Sequence, residues 1–387
     1  MRLLNFLIFF SIVISINSAL NYYIIRRGLD VIPQGSPNRV YFVWLIIFLA
    51  SAFLVGRILE NFTLNFFTST LIWIGAFWIA FMVYFFLSFL VIDFFRLLNH
   101  FFGIFPSFIT NNIEKSKEIT AYVVVGITFF TVLFGHINTW FPVIRNYEFS
   151  INKSAGNLKE LKIVTVSDIH LGTTIGPKYL AKVVDKINAL EPDIILIPGD
   201  IIDEDIRPVL RNNSGEYLKK LKSNYGTFAV TGNHEYIGGV DAAKKYLNEH
   251  GVLLLNDEAQ LIDSSFYLVG REDKDISRFT ENERKELHEI TDGLDKSFPL
   301  ILLDHQPFAL EKAVQNGIDL QLSGHTHHGQ LWPFNYITEM VYEISWGYKK
   351  KEDSHIYVSS GVGGWGPPIR TNSRPEIIEI NLKFIGK

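Results

Sequence analysis

The first third of the chain is dominated by long apolar runs that contain almost no charged residues. Each run is about long enough to cross a ~30 Å hydrocarbon core as a helix. The four runs occupy residues 3–25, 40–59, 69–92 and 119–139. Because four such runs follow one another, buried helices of a soluble protein explain them poorly. We therefore predict an N-terminal all-α transmembrane bundle of four helices within residues 1–142.

The first run has a second interpretation, because a short basic start followed by an apolar stretch is typical of a cleaved signal peptide. Met1-Arg2 and the small residues near Ala19 fit that interpretation. The apolar run nevertheless continues to Ile25, which favours an uncleaved span.

From Pro142 onwards, short apolar runs of β type alternate with amphipathic stretches. This alternation predicts an α/β domain over residues 143–387, with helices on both faces of its sheet. The predicted strands are residues 161–166, 193–197, 227–230, 266–269, 300–303 and 319–322. A densely charged stretch, residues 271–296, has helical spacing and predicts a solvent-exposed helix.

The distribution of basic residues predicts how the apolar runs are oriented. The first and third loops between the runs carry Arg26, Arg27, Arg39, Arg96, Lys115 and Lys117. Since loops rich in Lys and Arg stay in the cytoplasm, the first and third loops are predicted to be cytoplasmic. We therefore predict a multi-pass protein of the cell membrane. With four spans, the domain after Trp140 then lies outside the cytoplasm.

The composition of the chain excludes some kinds of protein and some kinds of site. The 387-residue chain is 48% hydrophobic, which is too apolar for one ordinary soluble domain. It has no cysteine, so disulfides and thiolate metal sites are excluded. The second domain lacks a concentrated Lys/Arg cluster, so a nucleic-acid polymer is not indicated as a partner.

Polar side chains follow five of the predicted strands at the point where each strand ends. They occur in Asp168-Ile169-His170, Gly199-Asp200-Ile201-Ile202-Asp203, Gly232-Asn233-His234-Glu235, Asp304-His305 and Gly324-His325-Thr326-His327-His328-Gly329. Because ligands of α/β folds bind at the carboxyl ends of strands, these groups are expected to converge. Carboxylate, amide and imidazole groups in one crevice predict a metal site, with enough ligands for two ions.

These motifs, in this order, resemble the motif set of the calcineurin-like metallophosphoesterases over roughly residues 160–387. The segment Gly366-Pro367-Pro368-Ile369-Arg370 is similar to one in the membrane-anchored bacterial branch of that family. His328 stands where that branch typically has glycine, and we expect its side chain to be exposed. The resemblance implies a two-sheet β-sandwich flanked by helices.

The resemblance also implies a ligand set for two divalent or mixed-valence ions of Mn, Fe or Zn. One ion would be held by Asp168, His170, Asp200 and His327. The other would be held by Asp200, Asn233, His305 and His325, so that Asp200 bridges the two.

The reaction implied is hydrolysis of a phosphomonoester or phosphodiester by metal-activated hydroxide. His234 would protonate the leaving oxygen, while Asp203 and Glu235 would orient neighbouring groups. Trp365 and Arg370 would contact the phosphoester substrate. A membrane anchor also suggests a lipid-linked or cell-envelope substrate at the bilayer.

A second hypothesis comes from another class of protein. The membrane half would then be a transporter or sensor, and the second half a catalytically inactive, metal-dependent binding domain. A degraded ligand set would favour that hypothesis. Every ligand type of the motif set is present, which favours the enzyme.

Overall fold

The computed structural model describes residues 2–386, and its chain forms two compact units. The first unit is Met1–His136 and the second is Ile137–Lys387.

The elements of the first unit are helices. The helices are α1 (Arg2–Leu29), α2 (Asn38–Glu60), α3 (Phe66–Phe102), α4 (Ser107–Thr110) and α5 (Ile113–Thr139), whose last turn belongs to the second unit. Within the described residues, three of them, α2, α3 and α5, are long and apolar enough to cross a membrane. Helix α1 covers the first predicted span, and the count of four spans stays a prediction.

Helix α3 is longer than the predicted span and continues to Phe102. The charges that suggested an end near residue 92 are accommodated within the unit, because Asp93 pairs with Arg27 of α1 and lies 3.4 Å from Arg96. The helix begins at an Asn65 capping box and ends where Gly103 adopts a left-handed φ of 61°.

The second unit contains two mixed six-stranded sheets. In the first sheet the order is β1 (Val143–Ile151), β12 (Glu376–Phe384), β2 (Glu160–Thr165), β3 (Ile194–Pro198), β4 (Thr227–Val230) and β5 (Val252–Leu254). In the second it is β10 (Gly347–Lys351), β11 (Ser354–Val358), β9 (Leu320–Ser323), β8 (Leu300–Leu303), β7 (Phe266–Gly270) and β6 (Glu258–Ile262). Strands β2 to β5 run parallel, as do β7, β8, β9 and β11.

The two-residue period of the strands produces the layers of this unit. Ile194 and Leu196 of β3 join Ile301 and Leu303 of β8 in one core that contains side chains of both sheets. The intervening Ile195 and Ile197 of β3 point to the other face of the sheet. There they pack with residues of α6 (Pro177–Asn188) and α10 (Val240–Glu249).

The second sheet is covered in the same way. Leu300 and Leu302 of β8 pack with residues of α12 (Leu287–Thr291) and α13 (Glu311–Gln315). The unit is therefore a two-sheet sandwich with helices on both outer faces.

The remaining helices are short. They are α7 (Arg207–Arg211), α8 (Gly215–Leu218), α9 (Asn233–Gly238), α11 (Ile276–Phe279) and α14 (Asn335–Val341), with a 3₁₀ turn at His327–Gly329.

The prediction of one exposed helix over residues 271–296 is wrong. Only α11 and α12 are helical there, and the rest is loop. The charges at its start face inwards, whereas most of the later ones are exposed. Arg271 is buried and donates to Asp304 at 2.9 Å, while buried Asp273 accepts from Gln306. Charge density along a sequence does not reveal such internal partners, which lie about 30 residues away.

Candidate metal centre

Two groups of imidazole and carboxylate side chains lie at the carboxyl ends of the central strands. The first joins Asp168 and His170, which follow β2, to His327, which follows β9. His170 Nε2 lies 3.0 Å from His327 Nε2, and Asp168 Oδ1 lies 3.5 Å from His327 Nε2. The three side chains are buried and their donor atoms lie within 4.8 Å of one another. Nitrogen and oxygen donors gathered this closely fit Mn, Fe or Zn.

The second group contains Asp200, His305 and His325, whose donor atoms also lie within 4.8 Å of one another. The side-chain oxygen of Asn233 lies 2.8 Å from His325 Nδ1 and 3.2 Å from His305 Nε2. His305 Nδ1 donates to the carbonyl of Pro198 at 2.8 Å, which orients the ring and leaves Nε2 facing the group.

Asp200 belongs to the second group and also faces His170 of the first. Its Oδ2 lies 3.2 Å from His305 Nε2 and 3.7 Å from His170 Nε2. Its Oδ1 accepts the backbone N–H of His234 at 3.0 Å. One carboxylate oxygen is therefore held by the backbone, and the other faces both groups of donors.

Two of the candidate histidine ligands, His325 and His327, have lowered pKa values. Burial and the neighbouring His305 lower the pKa of His325 to about 3. Burial, together with His170 and Arg370, holds the pKa of His327 well below its usual value. Both rings are neutral at pH 7, which is the form that binds metal ions.

The backbone of the candidate ligands is unusual, because most of them have a positive φ. The values are 53° for Asp168, 52° for His170, 52° for Asp200, 72° for His325 and 47° for His327. A non-glycine residue in this region costs about 1–3 kcal/mol, and such residues cluster at functional sites. The fold maintains this conformation where the candidate ligands converge.

Glycines of the motifs give the ligands room. A Cβ at Gly232 would overlap the carboxylate of Asp200, and one at Gly324 would overlap Ser167 Oγ and the Asp168 carboxylate. These positions need glycine because side chains that hold the site pass directly against the backbone.

Substituting Gly324→Ala is expected to displace Asp168 and reduce bound divalent metal, with a stability loss of about 1–3 kcal/mol from overpacking. Gly176→Ala is the matched control, because a Cβ there meets nothing within 4 Å and its φ is −107°. Elemental analysis and thermal unfolding of both variants check the prediction. Full metal content in Gly324→Ala would contradict it.

His234, the predicted acid, lies beside the two groups. Its Nδ1 is 3.3 Å from Asp203 Oδ1, and the same oxygen is 3.7 Å from His170 Nδ1. Burial lowers the pKa of His234, but Asp200, Asp203 and Glu204 outweigh it and raise the pKa to about 9. The ring therefore carries a proton at neutral pH.

Glu235 supports the loops rather than the crevice. Its carboxylate accepts backbone N–H groups of Asp200 at 3.2 Å, Ile202 at 2.8 Å and Gly232 at 2.8 Å. It thereby joins the loop after β3 to the loop after β4.

Arg370, which was predicted to contact substrate, lies inside the fold. This side chain is fully buried, and its guanidinium donates to the carbonyls of Ser360 and Gly363 and to Ser373 Oγ. Its Nη2 also lies 3.2 Å from His327 Nδ1. All three guanidinium nitrogens have protein partners, so Arg370 holds the late loop against His327.

Trp365 remains available to a substrate. Its side chain is 52% exposed, and its ring centroid lies 6.0 Å from that of His234. His328, expected to be exposed, is instead half-buried, and its Nδ1 lies 2.9 Å from Ser345 Oγ.

Sequence reasoning missed two residues that support the site. The hydroxyl of Ser167 donates to Asp168 Oδ2. The side-chain amide of Asn138 donates to the carbonyls of Arg370 at 2.9 Å and Ser373 at 3.1 Å. Ser167 immediately precedes a candidate ligand, which is a usable signal, whereas the partners of Asn138 are more than 200 residues away in sequence.

Comparison with known proteins agrees with this geometry. Residues 161–329 match the model of the calcineurin-like phosphoesterase family. A protein of Helicobacter pylori strain J99, named an uncharacterized metallophosphoesterase, is 36% identical over 226 residues, which cover 58% of this chain and 60% of that protein. This chain thus spans about three fifths of the length of that relative.

Two further relatives extend the comparison. A Bos taurus protein, named a transmembrane protein with metallophosphoesterase domain, is 33% identical over 291 residues, covering 70% of this chain and 65% of that protein. An Aquifex aeolicus protein, named an uncharacterized metallophosphoesterase, is 32% identical over 263 residues, covering 67% of this chain and 99% of that protein. Since this chain matches nearly the whole of the Aquifex aeolicus protein and gathers side chains that could hold a metal ion at its strand ends, it belongs to the calcineurin-like metallophosphoesterases.

Proposed function

We propose that this chain is a membrane-bound phosphoesterase that uses two metal ions to hydrolyse phosphomonoester or phosphodiester bonds. The observation that carries the proposal is the position of Asp200, whose Oδ2 faces His305 of one donor group and His170 of the other. A single carboxylate in that position suits two cations at the ~3.5–4 Å spacing of two-metal sites.

Each ion would take its ligands mainly from one of the two groups of donors. One ion would take Asp168, His170, Asp200 and His327, and the other would take Asp200, Asn233, His305 and His325. Bound ions of Mn, Fe or Zn would supply a water acidic enough to act as nucleophile and positive charge for the phosphoryl oxygens.

Side chains of the protein would transfer the proton and contact the leaving group. His234 is protonated at neutral pH and would give its proton to the leaving oxygen. Asp203, 3.3 Å from His234 Nδ1, would orient the ring so that Nε2 faces the substrate. Trp365, half-exposed beside His234, would contact the leaving group.

The proposal is tested with the purified full chain, stripped by chelator and reloaded separately with Mn, Fe or Zn. We expect two ions per chain and hydrolysis of p-nitrophenyl phosphate or bis(p-nitrophenyl) phosphate, with the better ester revealing monoester or diester preference. Metal binding without turnover of either ester would instead support the inactive binding domain of a transporter or sensor.

We also propose that the second unit lies outside the cytoplasm, on the evidence of the basic first and third loops. Protease added to intact cells, or to spheroplasts where an outer membrane is present, should digest it while a cytoplasmic marker protein stays intact. If the unit is digested only after lysis, the orientation is reversed.

A further inference from the structure

A segment next to the candidate metal centre exposes an unusual number of large apolar side chains. This apolar rim, residues 332–341, includes helix α14 and follows the last metal-binding motif directly. Its exposed members are Trp332 (49%), Phe334 (39%), Tyr336 (56%), Ile337 (52%), Met340 (79%) and Val341 (56%). Contiguous apolar side chains at a surface mark a site of interaction.

The apolar rim is attached to the metal-binding turn at both ends. Before it, the backbone N–H of Gln330 donates to the carbonyl of His327 at 3.0 Å. After it, Ser345 accepts from Thr326 Oγ1 through its carbonyl, and its own Oγ lies 2.9 Å from His328 Nδ1. A surface that contacts the apolar rim would therefore lie close to the candidate site.

The apolar rim contains one exposed carboxylate, Glu339, and basic residues follow the rim in sequence. Strand β10 follows it and carries Lys349, Lys350 and Lys351. Glu343 is held between two of these lysines, at 2.9 Å from each. Tryptophan, tyrosine and other apolar residues next to lysines are the composition of surfaces that lie at the membrane–water interface.

The connection to the apolar helices is short. Only residues 140–142 separate the end of α5 from the start of β1. Within the second unit, Asn138 donates to carbonyls of the loop that contains Arg370, and Arg370 lies against His327. Within this unit, the segment that contains Asn138 therefore lies close to the site.

We propose that the apolar rim inserts into the headgroup–acyl boundary of a lipid bilayer, with the lysines of β10 at anionic headgroups. The partner is the lipid surface itself. This proposal goes beyond hydrolysis and does not depend on it, since insertion is measured without turnover.

The chain has no cysteine, so an introduced cysteine is the only thiol that a spin label can modify. Met340→Cys and Tyr336→Cys place a nitroxide on the apolar rim of the full chain. Lys245→Cys on α10, where the side chain is 77% exposed, is the matched control. All three are reconstituted in nanodiscs of phosphatidylcholine and phosphatidylglycerol.

At both rim positions, the nitroxide should collide more often with oxygen than with a water-soluble nickel chelate. This difference should correspond to a label depth of about 5–10 Å in the bilayer. The label at residue 245 should show the reverse. Two rim positions are used so that failure of one variant to fold leaves the other, and circular dichroism checks each. If the labels on the rim are as accessible to the nickel chelate as the label at residue 245, the proposal is overturned. A protein partner is then the remaining occupant of the apolar rim.

Discussion

The variant Asp200→Asn is expected to lose bound metal and turnover together. Asparagine keeps the shape of the side chain but removes the negative charge that faces His305 and His170. Because this carboxylate faces both donor groups, its loss should weaken the binding of both ions by more than the ~10–100-fold seen for an outer hydrogen-bond partner. Titration with buffered metal, followed by elemental analysis, measures this directly.

Asp185→Asn serves as the control for that experiment, because Asp185 is an exposed aspartate on α6. Its metal content and rates should equal those of the unmodified protein. An Asp200→Asn protein that retains two ions and hydrolyses an aryl phosphate normally would refute the shared-carboxylate arrangement.

The variant His234→Ala should separate proton transfer from metal binding. Its neighbour Asn233, not His234, is the assigned ligand and lies beside His305 and His325, so both ions should remain. Turnover should fall about 10²–10⁴-fold, the usual effect of losing a general acid. The loss should be larger for an alkyl phosphate than for a nitrophenyl phosphate, since nitrophenolate leaves without a proton.

Rates on both esters and the metal content of the variant give the answer. His288→Ala, an exposed histidine on α12, is the control. Either a metal-free His234→Ala protein or a small loss that is equal for both esters would rule out the acid role.

Much of the site could be predicted because its donors follow strands that show plain apolar patterns. The predicted strands at 227–230 and 300–303 coincide with β4 and β8, and each is entirely buried. The carboxyl ends of β4 and β8 lie close together although the two strands belong to different sheets, so Asn233 and His305 meet across 72 residues of sequence.

The failures have a different physical origin. Arg370 was predicted to contact substrate, and Arg271 was placed in a solvent-exposed helix, because charged residues are rarely fully buried. Both are instead compensated by partners inside the fold, such as the carbonyl of Gly363 for Arg370 and Asp304 for Arg271. A pattern of hydrophobicity reports burial of apolar residues but carries no information about which polar residues have been paired.

The left-handed backbone at Asp168, His170, Asp200, His325 and His327 has a consequence for the protein's lifetime in the cell. Five such residues, at about 1–3 kcal/mol each, represent a strain comparable to the ~5–15 kcal/mol stability of a whole domain. A ligand that binds only the folded state adds stability in proportion to its supply. Cells starved of the metal would therefore hold a less stable population that proteases remove faster. The abundance of this protein should follow metal availability even at constant synthesis.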